Sequence, residues 1–146
     1  MTTTTARAKP VPVPDEASAA FFDGALRGEL MLLRCRACAT FMSPTAYLGV
    51  PPRPRCLSSF SGDLEWAPSS GRATLHSFAI MHQLYDEAFA AEIPYNVAVV
   101  ETEEGVRLTS QVVDCPNERL EIGMALDVTF ERMSGEVAVP KFRPRS

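Results

Sequence analysis

A chain of 146 residues with 46% apolar and 22% charged residues suits one compact unit, or two small ones sharing a core. No apolar run approaches the ~18 residues of a membrane span, and the opening residues lack the apolar stretch of a secretory signal. The net charge of −4 hides eleven acidic residues between Leu84 and Glu131 against only Arg107 and Arg119, a middle that repels polyanions and disfavours a long nucleic-acid track.

Threonine repetition followed by alternating prolines makes residues 1–14 a disordered, partly extended arm. In "DEASAAFFDGALRGEL", Phe21, Phe22, Ala25 and Leu26 share one face of a short helix over 15–29. Asp15 or Ser18 is placed to cap it, and Gly28 sits where a left-handed C-terminal cap is expected. "ELMLLRC" then changes period to that of a strand and runs into Cys35-x-x-Cys38.

With seventeen residues between, Cys38 is followed by Cys56-Leu57-Ser58-Ser59. Two Cys-x-x-Cys knuckles at this separation would make a tetrahedral zinc site, but serine holds the fourth position. Three thiolates and a water could hold zinc. That is an open arrangement, because a serine hydroxyl stays protonated near neutrality and offers only a weak oxygen. The expectation is therefore a metal-free or partly occupied knuckle pair, held together by packing around Leu33, Phe41, Leu57 and Phe60. Pro44, Pro51, Pro52 and Pro54 exclude a regular helix or central strand between the knuckles.

"GDLEWAP" is a short strand, "SSG" at 69–71 a turn, and "RATLHSFAIMH" a longer strand. "YNVAVVE" and "VRLTSQVVD" flank "TEEG" as a hairpin, "MALDVTFE" alternates cleanly, and "VAVPKFR" closes the chain. Five short strands in about eighty residues predict a small closed barrel. The connection "HQLYDEAFAAEIPY" carries too many apolar side chains for a freely solvated loop; Leu84, Tyr85, Ala88, Phe89 and Ile93 cover the barrel mouth or meet a partner.

"FFDGALRGELMLLRCRAC", "PPRPRC", "GDLEW", "SGRATLHSF", "IPYNVAVVETEEGVRLTSQVVD", "EIGMALDVTFE" and "VPKFRP" follow one another as in a known family. Together they resemble the acyl-CoA-associated OB-fold proteins with an N-terminal rubredoxin-like zinc ribbon (domain of unknown function thirty-five). The resemblance implies a mainly β fold: an N-terminal helix, a zinc-ribbon-like module over 30–66 and a five-stranded OB-fold domain over 67–146. It implies a non-catalytic accessory subunit of a thiolase-like enzyme, a hydratase or a steroid side-chain aldolase, helping to bind the acyl-CoA. Its metal ligands would be Cys35, Cys38 and Cys56. This chain departs from the family pattern at Ser59 and in a longer span between the knuckles, with the extra residues expected within "SPTAYLGV".

CoA presents phosphates at one end and a long uncharged pantetheine arm, so its site needs a few cations beside an apolar channel. Lys141, Arg143, Arg53 and Arg55 are the candidate cations; Tyr85 and Phe89 are the candidate apolar lip. Two other functions stay open on the residues alone. An OB barrel can bind single-stranded nucleic acid, although Asp86, Glu87 and Glu92 surround the available rings with the wrong charge. A small hydrolase could use Cys115 with His76 or His82. The expected compartment is the reducing cytoplasm, where the four cysteines are thiols or metal ligands.

Overall fold

One strand joins the two halves of the molecule. In the computed structural model, which describes residues 8–44 and 55–145, strand β1 (Met31–Cys35) is buried on both faces. Leu32, with Leu30 just before it, packs into the barrel core beside Leu75, Val100, Leu126 and Phe142. Leu33 and Cys35 point the other way, into a second core with Met42, Cys56, Leu64 and Trp66. This follows from the two-residue period of a strand, which sends successive side chains to opposite faces.

Helix α1 (Ala19–Leu26) precedes β1 and packs against it. Asp15 accepts from the Ser18 backbone N–H and the Ser18 hydroxyl, both at 2.8 Å, and fixes the turn that starts the helix. At its other end Gly28 takes φ +79°, and Glu29 N–H reaches back to Gly24 C=O at 2.8 Å, the C-terminal cap expected of a glycine there. Gly24 is buried against Met31, and an added Cβ there would run into the Met31 side chain.

In the ribbon, β1 pairs antiparallel with β2 (Phe41–Met42) on one side and with β3 (Leu64–Pro68) on the other. The turn after β3 is built on Gly71. Its φ is +84°, its carbonyl accepts from Val128 N–H at 2.8 Å, and an added Cβ would lie 2.8 Å from Val128 Cγ1. Only glycine combines that backbone with that approach.

The second sheet comprises β4 (Arg72–Met81), β5 (Tyr95–Thr102), β6 (Arg107–Ser110), β7 (Ala125–Arg132) and β8 (Ala138–Pro144), in spatial order β6-β5-β4-β7-β8. All neighbours are antiparallel. β4 serves both halves: its start pairs with β7 and its whole length with β5, with one extra residue, His76, between the Leu75–Val100 and Ser77–Val99 pairs. Such a bulge bends and twists a strand, and here the sheet curls into a half-barrel. Its edges meet where Val113 N–H donates to Phe142 C=O at 2.7 Å and Phe142 N–H donates to Gln111 C=O at 3.0 Å, around a parallel bridge between Val112 and Phe142.

Asn96 pins this closure from inside. Although only 3% exposed, its side chain accepts from Val112 N–H and donates to Val112 C=O, both at 2.8 Å. The amide thus stands in for a neighbouring strand's backbone. No helix among the described residues is long and apolar enough to cross a membrane.

Candidate functional site

The two knuckles have the same backbone, which their sequences only half announce. In the first, Cys35 N–H donates to Thr40 C=O at 2.8 Å and Ala39 N–H to Cys35 C=O at 2.8 Å, with Ala39 at φ +64°. In the second, Cys56 N–H donates to Ser61 C=O at 2.9 Å and Phe60 N–H to Cys56 C=O at 2.8 Å, with Phe60 at φ +61°. Ser59 therefore occupies the place in the second turn that Cys38 occupies in the first.

The turns bring Cys35, Cys38 and Cys56 together, their sulfurs all within 4.8 Å of one another. Cys38 Sγ lies 3.5 Å from Cys56 Sγ, and Ser59 Oγ lies 3.4 Å from Cys35 Sγ, at the fourth corner. Around a tetrahedral zinc with Zn–S bonds of ~2.3 Å, sulfurs stand about 3.8 Å apart. The three thiols fit such an ion, and the corner they leave open is solvent-facing: Cys35 and Cys56 are buried, Cys38 and Ser59 exposed. The Ser58 and Ser59 N–H groups point at Cys56 Sγ from 3.4 and 3.5 Å. The Ser59 N–H, followed by its hydroxyl, outweighs burial and lowers the Cys56 thiol to about 6. The Thr40 hydroxyl, 3.1 Å from Cys38 Sγ, lowers that thiol too.

The packing expected around the knuckles needs correction. Leu33 does belong to the ribbon core, but Leu57 is 85% and Phe60 71% exposed, and Phe41 packs against the barrel core. Met42, Leu64 and Trp66 take their place. Leu57 and Phe60 ride on a tight turn whose backbone, bonded inward to Cys56, turns their side chains out. The arginines nearby are largely neutralised: Arg34 and Arg36 bond Glu65, and Arg36 also bonds Asp63, all at 3.1 Å.

On the barrel, two adjoining cavities of about 300 Å³ each share Glu92, Gln111 and Lys141. Phe89 and Tyr95 form an aromatic wall, their ring centroids 6.1 Å apart. Lys141 donates to Gln111 Oε1 at 2.9 Å and lies 3.5 Å from Glu131. Lys9, from the N-terminal arm, crosses this groove to Glu92 at 3.3 Å and Glu131 at 3.1 Å. The Glu131 bond raises the Lys9 ammonium's pKa; burial pushes the Glu131 carboxyl up, but Lys9 and Lys141 outweigh it and hold it lower. A larger cavity of about 450 Å³ lies between Arg72 and Arg145, whose guanidinium groups bond Glu103 and Asp127.

Of the residues singled out from sequence, Lys141 and Phe89 thus share one groove. Arg143 is exposed on the same strand as Lys141, opposite Asp127. Tyr85 is 72% exposed and its hydroxyl bonds Gln83. Arg55 donates to Phe60 C=O at 3.1 Å, bracing its own knuckle, and Arg53 lies outside the described residues. Cys115 Sγ donates to Pro116 C=O, while His76 forms the β4 bulge and His82 is exposed beyond the end of that strand. Lys9, Glu92 and Glu131 were not legible as groove residues; their contacts span 83 and 122 positions.

Residues 66–131 match the family described as the ChsH2 C-terminal OB-fold domain. Over 136 residues, 93% of this chain, it is 32% identical to a Thermomonospora curvata protein named "Probable enoyl-CoA hydratase alpha subunit", and spans only 40% of that protein's length. A "DUF35 domain-containing scaffold protein" of Methanothermobacter thermautotrophicus is 34% identical over 119 residues, covering 77% of this chain and 84% of that one. A chain of the solved structure "Ltp2-ChsH2(DUF35) aldolase" superposes with a TM-score of 0.74 at 32% identity, covering 91% of this chain and 98% of its own. At this level of identity and mutual coverage, this chain belongs to the DUF35 family of OB-fold proteins.

Proposed function

We propose that this chain is a non-catalytic accessory subunit that associates with an acyl-CoA enzyme, whether thiolase-like, hydratase or steroid side-chain aldolase, in the cytoplasm. The observation that carries this reading is the near end-to-end correspondence with a chain of the Ltp2-ChsH2 aldolase. The scaffold name of the archaeal relative supports it as well. The enzyme and its chemistry lie in another polypeptide; this chain supplies surface.

The barrel groove supports a share in ligand binding. Lys141 sets a cation beside the Phe89 and Tyr95 rings, the pairing a phosphate joined to an uncharged arm requires. In this reading Lys141 and Arg143 face the CoA phosphates and Phe89 flanks the pantetheine arm. Tyr85 and Arg55 take outlying positions.

The ribbon serves as a shape whose core does not depend on metal. Leu33, Met42, Leu64 and Trp66, together with the arginine–carboxylate bonds across β1 and β3, hold the knuckles without an ion. Cys35, Cys38 and Cys56 would hold zinc when it is bound, with a charged-ligand set one short of a closed structural site. Zinc measured per chain, after purification without chelator or added metal, is expected below one and its removal to leave the fold intact. Stoichiometric zinc that disappears when Cys56 is replaced would refute the metal-independent ribbon.

Co-expression with neighbouring genes for acyl-CoA enzymes, followed by size-exclusion chromatography and acyl-CoA thermal shift, tests the main reading. A co-eluting partner and a concentration-dependent rise in melting temperature are expected. Elution of the chain alone, with no shift, would rule the reading out.

A further inference from the structure

The loss of the fourth cysteine leaves an unequal set of thiols. Cys35 and Cys56 are wholly buried, while Cys38 stands at the surface. Cys38 Sγ lies 3.5 Å from Cys56 Sγ across the ribbon, and Cys35, its neighbour in the Cys-x-x-Cys turn, belongs to the same cluster within 4.8 Å. Cys35 lies against Ser59 Oγ. A disulfide needs about 2.05 Å between sulfurs, so Cys38 and Cys56 have some 1.5 Å to close.

We propose that Cys38 and Cys56 form an oxidisable pair, a modification site for peroxides, with Cys38 as the attacking and Cys56 as the resolving thiol. Cys38 sulfur attacks the peroxide O–O bond, takes one oxygen as a sulfenic acid and releases water. Cys56 sulfur then attacks the Cys38 sulfur, forms the disulfide and expels the hydroxyl as a second water. Two thiols and one hydrogen peroxide thus become one disulfide and two waters; the thiols supply two electrons and the peroxide accepts them.

The arrangement favours this order for steric reasons. Peroxide reaches Cys38 from solvent, and the sulfenic acid then faces a buried thiol that bulk reagents cannot reach. Ser59 matters because a fourth thiolate there would complete a closed metal site and remove the free pair from reach of oxidant. The bond would join the knuckles at the edge of the ribbon and exclude a metal from the three-sulfur cluster. The proposal is independent of which enzyme the chain accompanies.

Full-length protein, stripped of metal, is treated with hydrogen peroxide, its remaining thiols alkylated, and its peptides mapped by mass spectrometry. The expected product is a Cys38–Cys56 cross-link with Cys35 and Cys115 alkylated, reversed by dithiothreitol. In the Cys56→Ser variant, Cys38 should instead yield a dimedone-reactive sulfenic acid and no cross-link. A parallel sample loaded with zinc should release the ion, read with a chromogenic chelator, as the cross-link appears. A dominant Cys35–Cys38 bond overturns the proposal, as does oxidation of Cys38 to sulfinic acid without any disulfide in the wild-type chain.

Discussion

Replacing Ser59 by cysteine changes one atom and tests what the second knuckle is. The two turns superpose in their bonding: N–H to C=O closures of 2.8 and 2.9 Å, and left-handed residues at φ +64° and +61°. A sulfur at position 59 therefore falls near the present Oγ, 3.4 Å from Cys35 Sγ, with only a few tenths of an ångström to reach the tetrahedral sulfur–sulfur edge. Structural zinc binding is worth roughly 10–16 kcal/mol over four ligands, so a fourth thiolate contributes about 2.5–4 kcal/mol. That converts to about two to three orders of magnitude in affinity at ~1.4 kcal/mol per decade. Competition against a chromophoric zinc chelator at slightly alkaline pH reads the affinity directly. Cobalt substitution should give the visible bands of a tetrahedral four-thiolate site in Ser59→Cys and weaker ones in the parent. Equal zinc affinity in the two proteins would refute the claim that Ser59 stands at a ligand position.

Gly71→Ala should destabilise the fold by roughly 2–3 kcal/mol, from a left-handed backbone and a Cβ pressed on Val128, read by urea denaturation. Adding Val128→Ala should not make the loss fully additive; strict additivity would mean the clash is absent. Asn96→Ala should cost about 2–4 kcal/mol, because the Val112 N–H and C=O, buried at the closure, lose their partners together. A loss well under 1 kcal/mol would show that water replaces the amide. In the metal-free chain, a Cys56 thiol lowered to about 6 means that the unfolded state binds more protons between that value and its ordinary ~8.5. Stability should therefore rise with pH across that window and fall as pH drops through about 6; thermal melts of Cys56→Ser should be flatter over the same range.

The barrel strands could be read from the sequence because short β-rich runs are bounded by turn residues, although β7 buries only Leu126 fully rather than one whole face. The hairpin strand read in "YNVAVVE" is β5, where burial alternates through Asn96, Ala98, Val100 and Thr102, an order its mixed residue types do not spell out. Gly28 and Gly105 announced a helix cap and a hairpin end, and both adopt positive φ. The cysteine cluster was legible for a similar reason: Cys-x-x-Cys spacing encodes a turn, and the turn sets the sulfurs. Leu57 and Phe60 misled because, within such a turn, hydrophobicity does not say which way a side chain points. Trp66 and Met42 reach the same core only through the strand register, Leu33 against Met42 and against Trp66. The His76 bulge leaves no local mark in an alternating strand. The groove was the least legible part. Lys9 meets Glu92 and Glu131 only because the curled sheet brings a loop and β7 beside the arm.

The central claim, that this polypeptide supports chemistry performed by another, is tested most directly by titrating it into a fixed amount of the acyl-CoA enzyme that co-elutes with it while following acyl-CoA turnover. The account predicts a rate that saturates at a fixed ratio of the two chains and no turnover from this chain alone. A rate proportional to this chain's concentration, with or without the enzyme, would contradict it.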